Sequence, residues 1–322
     1  VFPELITKCF RSSNSLQPAF TVKKVQGVPL NLALALIVQL IACQSSRADV
    51  APEPISGGIT IGICSGNPIT SVMLESEEVR LDLYPDNCET SAKFVLHNTG
   101  RDCNLEVGFP DEAGEGGTIL QDFHAFVEGQ PVTVTRKFVE KTDWAKRQRS
   151  YPWLVWNMNF KAGQTSHVEV AYHNRPRKNF SMSIKGSGIS TVLGEHNAFV
   201  RDCKLRTVRY ILDTGSYWFG VIKTCDITAK FHEPLQTKNV VSTHPLPTGP
   251  TTSELTWHLT NLYEKGGERR DGGFGEVEIQ YSANKTRQEF KTYLSQFCKA
   301  NPKQEYFADY IKRLNGDLYL SP

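Results

Sequence analysis

The run Tyr210-Ile211-Leu212 leads into Asp213-Thr214-Gly215, the residue pattern in this chain with the clearest capacity for chemistry. An apolar strand ending in Asp-Thr-Gly is how an aspartic protease presents a carboxylate. That reaction needs two acids sharing one proton, one ionised and one neutral. The other Thr-Gly of similar look is Asn98-Thr99-Gly100, where an amide replaces the acid. A turn accounts for the residues better. Three-residue hairpin loops combine a type I turn with a left-handed glycine, and Asp213, Thr214 and Gly215 suit those three positions. With Leu212 and Ser216 closing the loop, Tyr210 faces Trp218 and Cys203 faces Cys225. The expectation is therefore a hairpin with a Cys203–Cys225 disulfide. Asp213 is read as a turn residue, and a hydrolase with Asp213 as its acid is the second reading.

Other reactive residues form weaker patterns. The eight histidines contain no HExxH and no helical i, i+4 pair. His167 and His173 share one face of a strand, which alternation alone produces, so solvent-facing side chains are expected there. The stretch "KGSGISTVLGE" lacks both the Gly-Lys-Ser/Thr of a phosphate loop and the Gly-x-Ser-x-Gly of a nucleophile elbow. "PDEAGEGG" at 110–117 clusters acids without the ligand spacing of a calcium loop. No cysteine pair forms a CxxC, so no zinc or redox motif is present. No metal or cofactor is expected. Tyr217, Trp218 and Phe219 are the candidate binding aromatics if exposed, and core if buried.

These residues need a scaffold, and the sequence describes one. "VRLDLY" alternates Val79, Leu81 and Leu83 with Arg80 and Asp82. "CETSAKFVLH" alternates Cys88, Ala92, Phe94 and Leu96 with polar residues, and "CNLEVGF" repeats the pattern with Cys103, Leu105, Val107 and Phe109. A period of two marks half-buried strands. Asn98-Thr99-Gly100 reads as a hairpin turn that places Leu96 opposite Cys103. Cys88 then lies about eight residues, at roughly 3.3 Å each, from Cys103, so that pair is not expected to bridge. Further strands follow to about 175. A break at 176–200 separates them from "KLRTVRYIL", "FGVIKTCDITAKF", "ELTWHLTNLY" and "EVEIQYS". Phe290, Tyr293, Leu294 and Phe297 have helical spacing near the end, and a second short helix is expected after them. The reading is a mainly β protein: an antiparallel sandwich at 49–175, a junction at 176–200, a second β unit at 201–282 and a helical cap at 283–322.

The 322 residues carry a formal charge of +2, and the first 48 hold five basic residues against Glu4 alone. The rest of the chain is slightly acidic, which gives no reason to expect a nucleic-acid partner. Lys23 and Lys24 precede the apolar run 28–42, which is short for a membrane span of about 20 residues and fits a secretory signal in a leader at 1–48. Two exits fit. Cleavage between Ala48 and Asp49 releases a soluble protein, and Cys43 in Leu40-Ile41-Ala42-Cys43 fits a lipobox that tethers it. Apart from this segment or a lipid on Cys43, no membrane contact is expected. Six cysteines beyond the leader suit an oxidising compartment, periplasmic or extracellular.

"ADVAPEP", "VRLDLYPDNCETSAKFVLHNTG", "VGFPDE", "FVEGQPVTV" and above all "YILDTGSYWFGVI" resemble an exported bacterial family known only as domain of unknown function 4424. The resemblance spans most of 48–280. In that pattern the position before Thr-Gly does not require Asp, which again favours the turn. Residues 79–135 more loosely resemble the opening of the β domain shared by vault proteins and inter-alpha-trypsin inhibitors, which implies an interaction role. The expectation is an exported, non-enzymatic module that binds a protein or glycan.

Overall fold

The computed structural model describes residues 60–61, 71–111, 120–142, 148–184, 189–212, 218–262 and 275–301. All of them lie within one compact unit, Ala48–Pro322. In chain order the first strands are β1 (Thr60–Ile61), β2 (Val72–Leu83), β3 (Cys88–Asn98), β4 (Cys103–Pro110), β5 (Gln121–Val127), β6 (Gln130–Pro131), β7 (Thr135–Thr142), β8 (Gln148–Phe160) and β9 (Thr165–Asn174). After them come β10 (Phe180–Ile184), β11 (Ile189–Leu193), helix α1 (Ala198–Asp202), β12 (Leu205–Ile211), β13 (Ile222–Phe231) and β14 (Val240–His244). The last elements are β15 (Gly249–Pro250), β16 (Glu254–Leu262), β17 (Glu276–Ser282) and helix α2 (Arg287–Ala300).

The chain is mainly β with a C-terminal helix. An eight-stranded sheet runs β15-β16-β13-β2-β3-β9-β5-β6, beside sheets ordered β1-β4-β8-β7 and β12-β17-β14 and the hairpin β10-β11. Apolar side chains of the three larger sheets form one core, with Phe94, Val168 and Ile227 from the first, Phe109 and Phe160 from the second, and Tyr210 and Ile279 from the third. The division into two β units expected from the sequence is not a division between sheets. β13, from the second expected unit, lies parallel to β2 from the first, with Ile227 opposite Val79.

Two local expectations are corrected. Asn98-Thr99-Gly100 is a corner between sheets, not a hairpin: Leu96 faces Leu74 and Ser166, whereas Cys103 faces Phe160. The buried Asn98 amide donates to the carbonyls of Arg101 and Lys161, and its oxygen accepts from the Gly100 amide. A Cβ on Gly100 would lie 2.5 Å from the Ser71 Cβ, so the corner needs glycine. The register around Asp213 also differs. β12 pairs with β17, so Tyr210 faces Val277, and β13 pairs with β16 and β2. Residues 213–217 themselves lie outside the described residues.

A second apolar cluster holds the helices. Phe180, Phe199 and Phe290 meet with ring centroids 5.5–5.9 Å apart, and Phe297 packs on Phe199 at 5.2 Å. Phe290 and Leu294 are the buried face of α2, as their spacing predicts. Thr286 caps α2 and forms a capping box with Glu289, which satisfies amides the first turn leaves open. The expected helix after it lies outside the described residues. The stretch read as a junction contains β10, β11 and the start of α1.

Candidate functional site

A cleft of about 760 Å³ opens over this second cluster. Its apolar floor includes Pro176 and Val200, both buried. Among the described residues its walls carry Arg175, Lys178, Arg201, Lys204 and Arg206 against Asp86 and Glu195, an excess of three positive charges. Five chain segments supply them. The β2–β3 turn, closed by the Tyr84 amide on the Asn87 carbonyl at 2.9 Å, brings Asp86. The segment after β9 brings Arg175 and Lys178, and is fixed to β12 by a two-way backbone bridge between Arg177 and Thr207. The turn before α1 brings Glu195 and His196, α1 itself brings Arg201, and Lys204 and Arg206 flank the start of β12.

The charges are held unequally. Arg201 donates to the His196 carbonyl at 2.8 Å, and Lys178 lies 3.9 Å from Glu195. Arg206 is only 8% exposed, an unusual place for a guanidinium without a partner. Its Nε and Nη2 donate to one oxygen of Asp86 at 3.0 and 2.5 Å, and Nη1 donates to the Leu205 carbonyl. The hydrogen bond from Arg206 is the main cause that holds the Asp86 carboxyl below its usual range, and the charges of Arg206, Lys178 and Lys204 lower it further against some desolvation. Lys204 follows the cap of α1 with φ +44, the left-handed position where helices commonly end in glycine. A lysine there bears backbone strain of about 1–2 kcal/mol while adding a cation to the cleft.

A second polar group lies in the main core. A register shift between Leu74 and Ser76 reverses the alternation of β2, so the inward residues change from Val72 and Leu74 to Glu77, Val79 and Leu81. Glu77 is 2% exposed. Its carboxyl accepts from the Tyr210 hydroxyl, and from the Cys225 thiol at 3.7 Å on the neighbouring strand. Burial raises its pKa from 4.5 to about 7, against the lowering effect of the two donors. Burial first, then the Glu77 charge, pushes Tyr210 and Cys225 upward. An acid so enclosed titrates near neutrality yet reaches no substrate, which makes it a feature of the core.

The residues singled out in the sequence do not gather at either place. Asp213, Tyr217, Cys43, Ala48 and Asp49 lie outside the described residues. The expected Cys203–Cys225 disulfide is corrected: both thiols are free, Cys203 in the helical cluster and Cys225 in the main core. Cys88, Cys103 and Cys298 are free as well. Trp218 is 4% exposed and belongs to the core, so it is not a binding aromatic, while Phe219 is 38% exposed. His167 and His173 face solvent beside Glu128 and Asp122 of the adjoining segment, at 3.4 and 3.3 Å. Among the described residues no group of three or more His, Cys, Asp or Glu is placed to hold a metal, and no helix is long and apolar enough to cross a membrane. Sequence reasoning missed the cleft. The one signal available was the basic content of 174–206, interrupted by few acids.

No family model matches the chain, so the resemblance to domain of unknown function 4424 gains no support, and no curated protein matches it either. A structure from Legionella pneumophila, provisionally described as a nutrient binding protein, is similar over 70% of each chain at 14% identity, with a TM-score of 0.45. An M1 zinc metallopeptidase from Deinococcus radiodurans is similar over 67% of this chain at 9% identity, with a TM-score of 0.28. Its E323A mutant bound to a Tyr-Ser-Ala substrate gives 66%, 10% and 0.28. The matched region spans about 40% of those peptidases. Likeness this distant carries no argument about activity.

Proposed function

We propose that the chain is a non-enzymatic binding module, exported to the cell envelope or the extracellular space, that receives an acidic protein or glycan ligand in the basic cleft. The observation that carries this reading is the excess of three cations around one cleft in a chain of nearly balanced charge. A volume of about 760 Å³ lies within the usual range for ligand sites, about 300–1,000 Å³. Most such sites are lined by apolar groups, whereas eight of the ten described residues around this one are charged or polar, which favours a ligand that carries charge. Both of its carboxylates are engaged by cations, and among the described residues no hydroxyl or thiol lines it as a nucleophile. The export part rests on the basic and apolar pattern at 23–42, and N-terminal sequencing of the mature protein checks it.

Calorimetric titration of the full chain with oligogalacturonate and with a neutral maltooligosaccharide tests the binding reading. The acidic sugar should bind at low salt and weaken as salt rises. Lys178→Glu with Arg201→Glu, both exposed positions, should weaken it by about tenfold or more. Equal binding of the neutral sugar, or no effect of the charge reversal, would sink the reading.

A further inference from the structure

We propose that Asp86 is a built-in occupant of Arg206, and that the ligand enters the cleft by putting a compact oxyanion, carboxylate or phosphate, in its place on that guanidinium. The inference rests on the binding reading above and adds which group in the cleft recognises the ligand and what must leave.

Three features of the pair support exchange. The first is geometric. A guanidinium fork is best matched by two parallel N–H···O bonds to two oxygens. Asp86 gives Nε and Nη2 a single oxygen, Oδ1, and leaves its Oδ2 off the fork. An oxyanion free to orient can supply both oxygens. The second is the asymmetry of burial. The Arg206 side chain is 10% exposed and fixed also through the Leu205 carbonyl, while the Asp86 side chain is 72% exposed on a turn. The cation is the fixed half of the pair, and the anion is the half that can swing into water at small desolvation cost. The third is the surrounding field. Lys178 and Lys204 both act on the carboxylate of Asp86, so the place it fills favours negative charge from more than one side. A ligand with two or more negative charges can hold Arg206 with one and meet these cations with another, which a single carboxylate cannot do.

Glu195 provides an internal control. It is also a carboxylate of the cleft and also near a cation, but it lies 3.9 Å from Lys178 and touches no guanidinium among the described residues. Removing its charge changes the field of the cleft without vacating Arg206.

Titration of the full chain with inorganic phosphate, pyrophosphate and citrate at low salt tests the proposal, on wild type, Asp86→Asn and Glu195→Gln. Asp86→Asn should tighten the better anion by about tenfold, and Glu195→Gln by only about two- to threefold. In an Arg206→Gln background the gain from Asp86→Asn should vanish. If Arg206→Gln does not fold, the comparison of the two single variants still decides. Equal gains from both variants overturn the exchange and leave Asp86 as one charge among others, while the binding reading survives. Absence of binding by every anion to every variant, with oligogalacturonate still bound, overturns the exchange alone. Loss of both kinds of binding overturns the cleft itself. Tighter binding of citrate than of pyrophosphate at equal charge assigns a carboxylate ligand, and the reverse assigns a phosphate.

Discussion

Asp86 and Glu77 are both carboxyls held by donors from distant parts of the chain, and water treats them in opposite ways. Asp86 stands in solvent against a buried cation, so its charged form is favoured and its pKa falls. Glu77 stands in the core against a hydroxyl and a thiol, neither of them a cation, so its charged form is penalised and its pKa rises to about 7. Burial of a charge without an opposite charge outweighs good hydrogen bonding. The difference teaches where each can act. The exposed carboxylate can exchange with a ligand, and the buried one can only set how stability depends on pH.

The largest expected effect breaks the comparison on the buried side. Below about pH 4.5 Glu77 is protonated in both folded and unfolded chains and contributes no pH dependence. Between about 4.5 and 7 the unfolded chain releases the proton and the folded one keeps it, so stability falls as pH rises. Above about 7 the full penalty is present, about 3 kcal/mol from the size of the shift. Glu77→Gln retains an oxygen for Tyr210 and removes the ionisation. It should leave stability near that of wild type at pH 5 and raise it by up to about 3 kcal/mol at pH 8, by urea unfolding. A constant difference across that range would show that the carboxyl is not enclosed.

Glu77 also shows how far the sequence could be read. The alternation of Val79, Leu81 and Leu83 is correct, and the same parity puts Glu77 inward. A glutamate on an apolar face looks like the end of the strand, so the pattern reads as starting two residues later. The register shift near Glu75 hides the rest, because Val72 and Leu74 sit on the other parity. Strands and the α2 face follow from local periodicity and are legible. Partners are not: the Tyr210–Trp218 register assumes that neighbouring strands pair, whereas β12 and β13 go to different sheets. The cleft is illegible for the same reason, since Arg206 meets an aspartate 120 residues away.

A middle-sized effect sharpens the comparison on the cleft side. Lys204→Gly removes both a cation and a strained left-handed side chain. Stability should rise by about 1 kcal/mol, while binding of oligogalacturonate weakens. Opposite signs in the two measurements would mark Lys204 as a residue kept for charge at the expense of backbone comfort. Parallel losses would mark it as structural.

The smallest expected effect on stability comes from the same carboxyl-to-amide change at Asp86. The Asp86 half of the pair is in solvent, which screens the pair to about 1 kcal/mol or less, and the asparagine oxygen can still accept from the buried Arg206. The sign also differs from that at Glu77. Because the folded pKa of Asp86 is lowered, its contribution is present above the unfolded value of about 4 and is lost as pH falls through the folded one. Asp86→Asn should therefore cost little at pH 7 and nothing once the pH is well below 4, whereas Glu77→Gln gains most at high pH. Unfolding curves for the two variants at pH 3, 5 and 8 compare them directly. A loss of several kcal/mol for Asp86→Asn at pH 7 would mean that Arg206 depends on this partner for burial. In that case the aspartate is bound too firmly to yield its place to a ligand, and the exchange at the cleft fails together with the contrast between the two acids.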